Sequence, residues 1–306
     1  MLDFHIPTLD DKAWIDEIFD GTEYFGCFCT FSTLWLWEER YFTEVARMDD
    51  CLLLRGVDDD KNTYYMYPMG KNYDIRKAIA ALREDAESVG THLLIYCAES
   101  WQCDELRKAF PGEFAYAEQR GDFDYIYRTE DLIDLNGKKY HAKRNHISRF
   151  VRSYSDWQYE NISRANIGEC MEFAGNLLEK SIVGQDGEEV RELCMENTAI
   201  AKALRNYEAL GMAGGLLRVG GKVVAMTIGE PINSRVFVTH FEKADTDYDG
   251  AYTMINNQFA INRLSDYEYN NREEDMDKEG LRKAKLSYYP AILLEKFSAE
   301  DVSGNA

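Results

Sequence analysis

The sequence has few prolines, no long apolar run and too few basic residues to balance its acids, and each shortage excludes a class of protein. Five prolines and 21 glycines among 306 residues are too few for a collagen-like or linker-rich chain. Because 45% of the residues are hydrophobic and 13% are aromatic, the chain can bury a substantial core. Its length exceeds the usual domain of roughly 100–200 residues, which predicts two domains or one large domain.

Membrane and secretion signals are also missing from the sequence. No apolar run approaches the roughly 18–20 residues of a spanning helix, and the N-terminus lacks the basic start and apolar stretch of a signal peptide. The seven cysteines are odd in number and have no repeating close spacing, so we expect buried thiols. Cys27 and Cys29 lack a second close Cys or His pair, and no metal site is expected. We predict a cytoplasmic protein without an integral membrane segment.

The charge balance is strongly acidic, with 55 acidic and 35 basic residues and a net charge of −20. Nucleic-acid binding depends on neutralising phosphates, so DNA is not an expected partner and any phosphate contact requires a local basic patch. Segment 136–155 is such a patch, with apolar residues at helical spacing and no acid. It is either a connecting helix paired with acidic neighbours or a surface that contacts phosphates. Its basic residues are Lys138, Lys139, Lys143, Arg144, Arg149 and Arg152.

Hydrophobic periodicity and turn residues predict the same order of elements in both halves of the chain. In the first half, Asp58 to Asn62 form a turn between strands, and a helix begins after Asp74 and stops at Gly90. The predicted strands are 43–48, 51–55, 63–67, 93–97, 114–117 and 123–128, and the predicted helices are 74–88 and 101–110. In the second half the strands are 212–219, 222–231, 235–242, 267–270 and 292–297, and the helices are 167–180, 188–210, 251–264 and 280–286.

This repeated order predicts an α+β fold of two related domains. We expect an N-terminal domain over 1–135, a basic connecting helix over 136–155 and a C-terminal domain with the active cleft over 156–306. Several enzyme classes are not expected, because the sequence has no G-x-G-x-x-G after a strand, no P-loop, no G-x-S-x-G and no H-E-x-x-H.

The residues that could carry chemistry are concentrated between His240 and Pro290. At the predicted helix start, Gly250 and Ala251 would let an anion approach backbone N–H groups. The acids of Asp245-Thr246-Asp247-Tyr248-Asp249 would repel a pyrophosphate, and the alternative is an ordinary helix with Asp249 as its N-cap.

A second candidate region follows the next predicted strand, from Asn271 to Asp275 and from Gly280 to Tyr288. Carboxylates there could hold or deprotonate an amine, a lysine could stabilise an oxyanion and a tyrosine could serve a leaving group. The alternative is an exposed acidic turn paired with Arg282 and Lys283.

These segments resemble a bacterial family related to the C-terminal domain of phosphatidylglycerol lysyltransferase. The resemblance covers about half of the chain, from the basic segment onward. It rests on Gly137-Lys138-Lys139-Tyr140-His141, Lys143-Arg144-Asn145-His146, Glu242-Lys243-Ala244, Gly250-Ala251-Tyr252, Ile255-Asn256, Asn271-Arg272-Glu273-Glu274-Asp275 and Gly280-Leu281-Arg282-Lys283-Ala284-Lys285-Leu286-Ser287-Tyr288.

The resemblance implies two tandem domains of the Gcn5-related N-acetyltransferase fold, each a mixed central sheet flanked by helices. It also implies an acyltransferase, since relatives move an amino acid from aminoacyl-tRNA to a lipid or peptide amine or hydroxyl. No tightly bound cofactor is expected. The expected donor is aminoacyl-tRNA or, as an alternative, acyl-coenzyme A, and the acceptor is a small-molecule, peptide or lipid amine or hydroxyl. A second alternative is a binding module without catalysis.

On this resemblance, four catalytic residues are expected. Lys285 would stabilise the oxyanion or contact the donor's carbonyl and terminal ribose, and Tyr288 would assist proton transfer. Asp275 and Glu273 would orient a cationic aminoacyl or amine group. The expected substrate-binding residues are Asn271, Arg272, His240, Glu242 and Arg282. The residues expected to contact donor phosphates are Lys138, Lys143, Arg144, Lys243, Gly250 and Ala251.

Overall fold

A computed structural model describes residues 2–58 and 60–305. Met1, Asp59 and Ala306 lie outside the described residues. Asp59 belongs to the predicted turn 58–62, Met1 to the predicted N-terminal domain and Ala306 to the predicted C-terminal domain. The elements up to residue 128 are α1 (Lys12–Phe19), α2 (Phe31–Leu36), α3 (Glu38–Tyr41), β1 (Glu44–Met48), β2 (Cys51–Val57), β3 (Thr63–Met66), β4 (Met69–Gly70), α4 (Ile75–Ser88), β5 (Leu94–Glu99), α5 (Ser100–Ala109), β6 (Phe114–Glu118) and β7 (Asp124–Arg128).

In the second half, helix α7 corresponds to the basic helix predicted over 136–155. The elements of this half are α6 (Thr129–Asp134), α7 (His141–Ser153), β8 (Gln158–Asn161), α8 (Ile167–Ser181), α9 (Gly187–Arg205), α10 (Tyr207–Leu210), β9 (Ala213–Val219), β10 (Lys222–Pro231), β11 (Val236–Ala244), α11 (Ala251–Arg263), β12 (Tyr269–Asn271), α12 (Glu279–Leu286), β13 (Ile292–Leu294) and β14 (Lys296–Asp301). Helices α1, α2, α3 and α6 and strands β4 and β8 were not predicted.

Helix α4 shows how local signals set an element. The Asp74 side chain accepts hydrogen bonds from the backbone N–H groups of Arg76 and Lys77, which satisfies donors that the helix itself leaves unpaired. Gly90 follows with a φ of +77°, which a residue without a side chain adopts at low cost. The buried stripe of this helix packs into the first core, as the apolar periodicity predicted.

The described chain forms two compact units, and their limits differ from the predicted domain boundaries. The first unit contains the residues up to Tyr125, Glu274–Lys283 and those from Leu293 on. The second unit contains Ile126–Glu273 and Ala284–Ile292, so the basic helix α7 belongs to it. The difference arises because strand pairing, and not position along the chain, decides which sheet a segment completes.

The sheet of the first unit has seven strands, in the order β1-β2-β3-β5-β14-β6, with β4 on β2. Its β3 and β5 run parallel, and β14 pairs antiparallel with β5 and β6. The core beside this sheet includes Leu53, Tyr65, Ile79 and Leu106.

The sheet of the second unit also has seven strands, in the order β13-β7-β12-β11-β10-β9-β8. The predicted single strand 292–297 is therefore wrong. It is two strands, β13 in the second sheet and β14 in the first, with Glu295 between them. Hydrophobic pattern alone could not show this break, because both strands are extended and partly buried.

Helices α7 and α11 pack on the second sheet through a core that contains Phe150, Leu217, Ala225 and Ile255. This accounts for the apolar face of the basic helix. Among the helices of residues 2–58 and 60–305, none is long and apolar enough to cross a membrane.

The second sheet opens between β11 and β12. These parallel strands pair only from Val236 with Tyr269 to Val238 with Asn271, whereas β11 continues along β10 as far as Ala244. The pairing of β11 with β10 also shifts between Thr239 and Phe241, which leaves His240 as a bulged residue. Bulges re-aim side chains and disrupt ladder hydrogen bonds, and they are frequent beside active sites.

Candidate functional site

Buried charged side chains lie where β11 and β12 separate. Glu242 on β11 accepts a hydrogen bond of 2.7 Å from Arg272 Nη2, and its other oxygen accepts one of 3.0 Å from Asn256 Nδ2 on α11. Only 12% of the Arg272 side chain and 13% of the Glu242 side chain are exposed. The position of Arg272 directly after β12 places the pair at the opening of the sheet.

Three further predicted residues contact Arg272 or one another. Lys285 Nζ donates to the carbonyl oxygen of Arg272 at 2.6 Å. The guanidinium carbon of Arg272 lies 5.0 Å from the centre of the Tyr288 ring, and Lys143 Nζ lies 3.6 Å from the same centre. We call Lys143, Glu242, Arg272, Lys285 and Tyr288 the strand-end cluster. The structure thus brings together five of the predicted residues.

Burial sets the protonation of this cluster. Burial raises the pKa of Tyr288 to about 12 against the opposing effect of Arg272, so its hydroxyl keeps its proton at neutral pH. Burial and the positive charge of Arg272 lower the pKa of Lys143 from 10.5 to about 8. A weakly acidic phenol and an ammonium that titrates near physiological pH therefore lie side by side.

Buried polar atoms without partners surround Glu242. Thr227 lies opposite Glu242 on β10, and its Oγ1 has no hydrogen-bond partner within the described part of the chain. The same holds for Asn256 Oδ1 and Arg272 Nη1. A buried unpaired polar group costs about 1–3 kcal/mol, and most proteins avoid such groups. These atoms are ready to pair with a ligand.

The bulged His240 is clamped between two carboxylates. Its Nε2 donates to Glu230 at 3.0 Å and its Nδ1 donates to Glu273 at 2.9 Å. Burial opposes the charge, but the hydrogen bonds that His240 donates to Glu230 and Glu273 outweigh it and raise the pKa of His240 to about 10. Glu273 has a φ of +58°, and its N–H donates to Asn271 Oδ1 at 2.7 Å. Strained backbone that its neighbours hold in place is typical of functional sites.

Asp275 and Arg282 belong to the first unit and bind each other there. Asp275 accepts two hydrogen bonds of 2.8 Å from Arg282, one of 3.0 Å from Arg120 and one of 2.6 Å from the Tyr125 hydroxyl. Burial would raise the pKa of Asp275, but the bonds from Arg282 and Tyr125 lower it to about 2. Asp275 and Lys285 are only ten positions apart in sequence, but Asp275 belongs to the first unit and Lys285 to the second.

Three of the four basic residues predicted to contact donor phosphates bind groups of the protein. Arg144 Nη1 donates to the backbone carbonyls of Leu135 and Gly137, and Lys143 Nζ donates to Ser287 Oγ at 2.6 Å. Lys243 forms an ion pair of 2.5 Å with Glu196. Lys138 is exposed.

The start of α11 is closely covered by α7. A Cβ atom on Gly250 would lie 2.6 Å from the carbonyl oxygen of His146, and Ala251 is buried. The N-cap is Gly250, so the expectation that Asp249 caps this helix is wrong. Asp249 instead pairs with Arg149 at 2.6 Å.

The first unit contains a separate buried cluster. Donor atoms of Cys27, Asp124 and Glu274 lie within 4.8 Å of one another and could hold a cation. Lys296 already provides positive charge there, because its Nζ lies 2.6 Å from Asp124 Oδ1 and 3.5 Å from Cys27 Sγ. Burial opposes this charge, but Asp124 outweighs it and the pKa of Lys296 lies well above its ordinary value.

Sequence reasoning missed several residues of the site. Thr227 and Glu230 lie on β10, within a run of buried strand residues, and no motif distinguishes them. Asn256 belongs to a matched motif but was not assigned a role. Lys143 was placed at donor phosphates, and its position against Tyr288 depends on the packing of α7.

Comparison with known proteins agrees with the fold. A family model described as phosphatidylglycerol lysyltransferase, C-terminal, matches residues 22–300. A conserved protein of unknown function from Bacteroides thetaiotaomicron is 40% identical, with a TM-score of 0.91 over 98% of this chain and 100% of that chain. The structure of L-PGS from Bacillus licheniformis is 14% identical, with a TM-score of 0.66 over 97% of this chain and 93% of that chain.

A curated relative matches over a shorter range. An uncharacterized protein of Mycoplasmoides gallisepticum is 23% identical over 184 residues, which are 57% of this chain and 54% of the relative. The chain therefore spans about half the length of the curated relative that it matches. The predicted α+β fold class is confirmed, because the described residues form two mixed sheets flanked by helices.

Proposed function

The chain belongs to the family of phosphatidylglycerol lysyltransferase C-terminal domains, and from this premise we propose that it is an acyltransferase. It moves an aminoacyl group from aminoacyl-tRNA to an amine or hydroxyl acceptor. The observation that carries the proposal is the strand-end cluster, which places buried cations and a protonated tyrosine at the opening between β11 and β12. Such groups suit a reaction in which negative charge develops on a carbonyl oxygen.

The reaction exchanges one bond at the acyl carbonyl carbon for another. The acceptor nitrogen or oxygen attacks this carbon, and the ester bond to the terminal ribose oxygen breaks. The proton lost by the acceptor is balanced by the proton gained by the ribose oxygen. Because both molecules are held in one site, much of the entropic cost of their encounter is met by binding.

The residues of the cluster divide this work. Lys285 and Arg272 stabilise the oxyanion, since each carries a positive charge in a poorly solvated place. Tyr288 donates the proton to the ribose oxygen, which a hydroxyl with a pKa of about 12 can do at neutral pH. Glu273 is a positioning residue, because its carboxylate binds the His240 imidazolium. Asp275 is given no part in this step, because its carboxylate is occupied by two arginines and a tyrosine of the first unit.

The surroundings of α11 favour tRNA over coenzyme A as donor. Asp245 and Asp247 both bind Lys180, and Asp249 binds Arg149. This acidic turn precedes a helix start that α7 covers, so it offers little to a pyrophosphate.

The proposal is tested by incubating the purified chain with a mixed pool of radiolabelled aminoacyl-tRNAs and a cell extract as acceptor source. We expect one tRNA to lose its label and a new labelled product to form. Lys285→Ala should lower the rate about 100-fold or more, the usual effect of removing an oxyanion donor. No discharge above the blank across the whole pool, at low salt, would remove the proposal.

Lys283→Ala is the matched control. Lys283 lies on the same helix, two residues earlier, but its side chain is exposed. Its loss should leave the discharge rate unchanged. Equal losses in both variants would point to a general effect on α12 and not to oxyanion stabilisation by Lys285.

A further inference from the structure

The strand-end cluster has more positive than negative charge around its aromatic ring. Arg272 is paired with Glu242, which also accepts from Asn256. Lys143 binds only an uncharged hydroxyl and the Tyr288 ring. No carboxylate of the described residues lies within ion-pair distance of Lys143. The ammonium of Lys143 is therefore left without a counterion among the described residues, in a cluster that also contains the cations Arg272 and Lys285.

Two of the three unpartnered atoms near Glu242 point to the same kind of ligand, whereas the third, Asn256 Oδ1, is an acceptor. Arg272 Nη1 can only donate, and Thr227 Oγ1 can donate its hydroxyl proton. Both flank Glu242, and neither has a partner within the chain as described. An oxygen-rich ligand group would pair these donors and relieve the cost of their burial.

A cationic group, in contrast, finds the nearby carboxylates already engaged. Glu242 is shared by Arg272 and Asn256, while Glu230 and Glu273 bind the His240 imidazolium. A lysine-like side chain would have to compete with these partners and would be repelled by Lys143.

We propose that the strand-end cluster binds a carboxylate carried by one of the two reacting molecules, so that this chain acts on an acidic substrate. The inference rests on the proposed function and names a substrate class for the same site. A carboxylate carries one negative charge and two coplanar oxygens, which match the unpaired ammonium of Lys143 and the planar guanidinium of Arg272.

The test is isothermal titration calorimetry of the full chain at pH 7 with succinate, inorganic phosphate and lysine as separate probes. We expect succinate to bind more tightly than either of the others. Lys143→Met should weaken succinate binding about tenfold or more, because it removes the uncompensated charge. Arg152→Met, an exposed residue on the same helix, should bind succinate as the unmodified chain does.

Three results would overturn the inference. They are tighter binding of phosphate than of succinate, tighter binding of lysine than of succinate, and equal succinate affinity in Lys143→Met and the unmodified chain. Absence of succinate binding would have the same force.

A second measurement avoids any effect of substitution on folding. In the unmodified chain, succinate should slow acetylation of Lys143 by acetic anhydride, read by peptide mass spectrometry, while acetylation of the exposed Lys138 is unaffected. Equal rates with and without succinate would contradict the proposal. Both experiments measure binding without turnover, so their failure is separate from failure of the tRNA discharge assay.

Discussion

Each unit contains a lysine withdrawn from solvent, fully buried in the first unit and half-buried in the second, and the pKa values of the two lysines are shifted in opposite directions. Lys296 of the first unit is 1% exposed and pairs with Asp124, and its pKa is raised. Lys143 of the second unit has no carboxylate partner among the described residues, and its pKa is lowered to about 8. A buried charge with its counterion contributes to the scaffold, whereas one without a counterion persists at a cost that the rest of the fold must offset. The second arrangement is the one expected of a binding site.

The strongest challenge to this comparison is removal of the Lys296 charge. Lys296→Met leaves Asp124 buried without its counterion, so we expect the free energy of unfolding to fall by about 3–5 kcal/mol. Urea denaturation followed by circular dichroism measures this change. The double variant Lys296→Met/Asp124→Leu should recover part of the loss, and a single-variant loss below about 1 kcal/mol would show that the pair is not structural.

The next largest effect is expected at His240. His240→Gln removes an imidazolium held by Glu230 and Glu273, and hydrogen bonds to charged groups are worth about 1.5–3 kcal/mol each. We expect a loss of about 2–3 kcal/mol at pH 7. Denaturation of this variant should be compared with that of His92→Gln, which changes an exposed histidine.

The pH dependence of the same variant gives an independent check. The pKa of His240 is raised from 6.5 to about 10, so its contribution is complete below pH 6.5 and is lost as the pH rises through 10. The unmodified chain should therefore lose stability across this window, and His240→Gln should lose less. Parallel pH profiles of the two proteins would rule out a charged His240.

Lys143→Met should have a smaller effect of opposite sign. The lowered pKa of Lys143 means that folding disfavours its charged form, which is the form present below pH 8. Removing this charge should therefore raise the free energy of unfolding by up to about 1 kcal/mol at pH 7. Arg272, Glu242 and Tyr288 are the charged or titratable groups that face it. The gain should shrink between pH 8 and 10.5, where the folded state has already released this proton. If Lys143→Met were less stable than the unmodified chain at pH 7, Lys143 would be a stabilising charge like Lys296, and the difference between the two lysines would not hold.

The smallest effect is expected at the exposed pair Arg149–Asp249. Arg149→Ala should change the free energy of unfolding by no more than about 0.5 kcal/mol, because exposed ion pairs are screened by water and salt. Chemical denaturation at low and high salt checks this. A loss of 2 kcal/mol or more would mean that the covering of the α11 start by α7 depends on this pair.

Local signals in the sequence predicted much of the fold. The Asp74 cap, the Gly90 stop and the apolar stripe between them define α4, and the Gly220-Gly221 turn joins β9 to β10. What failed was the assignment of segments to sheets. The break at Glu295 and the placement of Asp275 in the first unit depend on pairing between distant segments, which hydrophobic periodicity does not encode.

The candidate site was predicted in part for the same reason. Motif matches gave Glu242, Arg272, Lys285 and Tyr288, and in the structure these residues lie together. The unpaired atom of Thr227 and the place of Lys143 arise from neighbouring strands and from helix packing.

The strand β14 has a consequence for how the chain is made. It lies between β5 and β6, with Phe297 opposite Ala98 on one side and Glu118 on the other. A ribosome therefore releases β5 and β6 long before the strand that joins them, and their inner edges stay unsatisfied until β14 has emerged. Closing so long a loop is slow, and open strand edges attract other chains. The first sheet is thus completed only after β14 has been synthesised, and nascent chains of this protein should depend on chaperones until then.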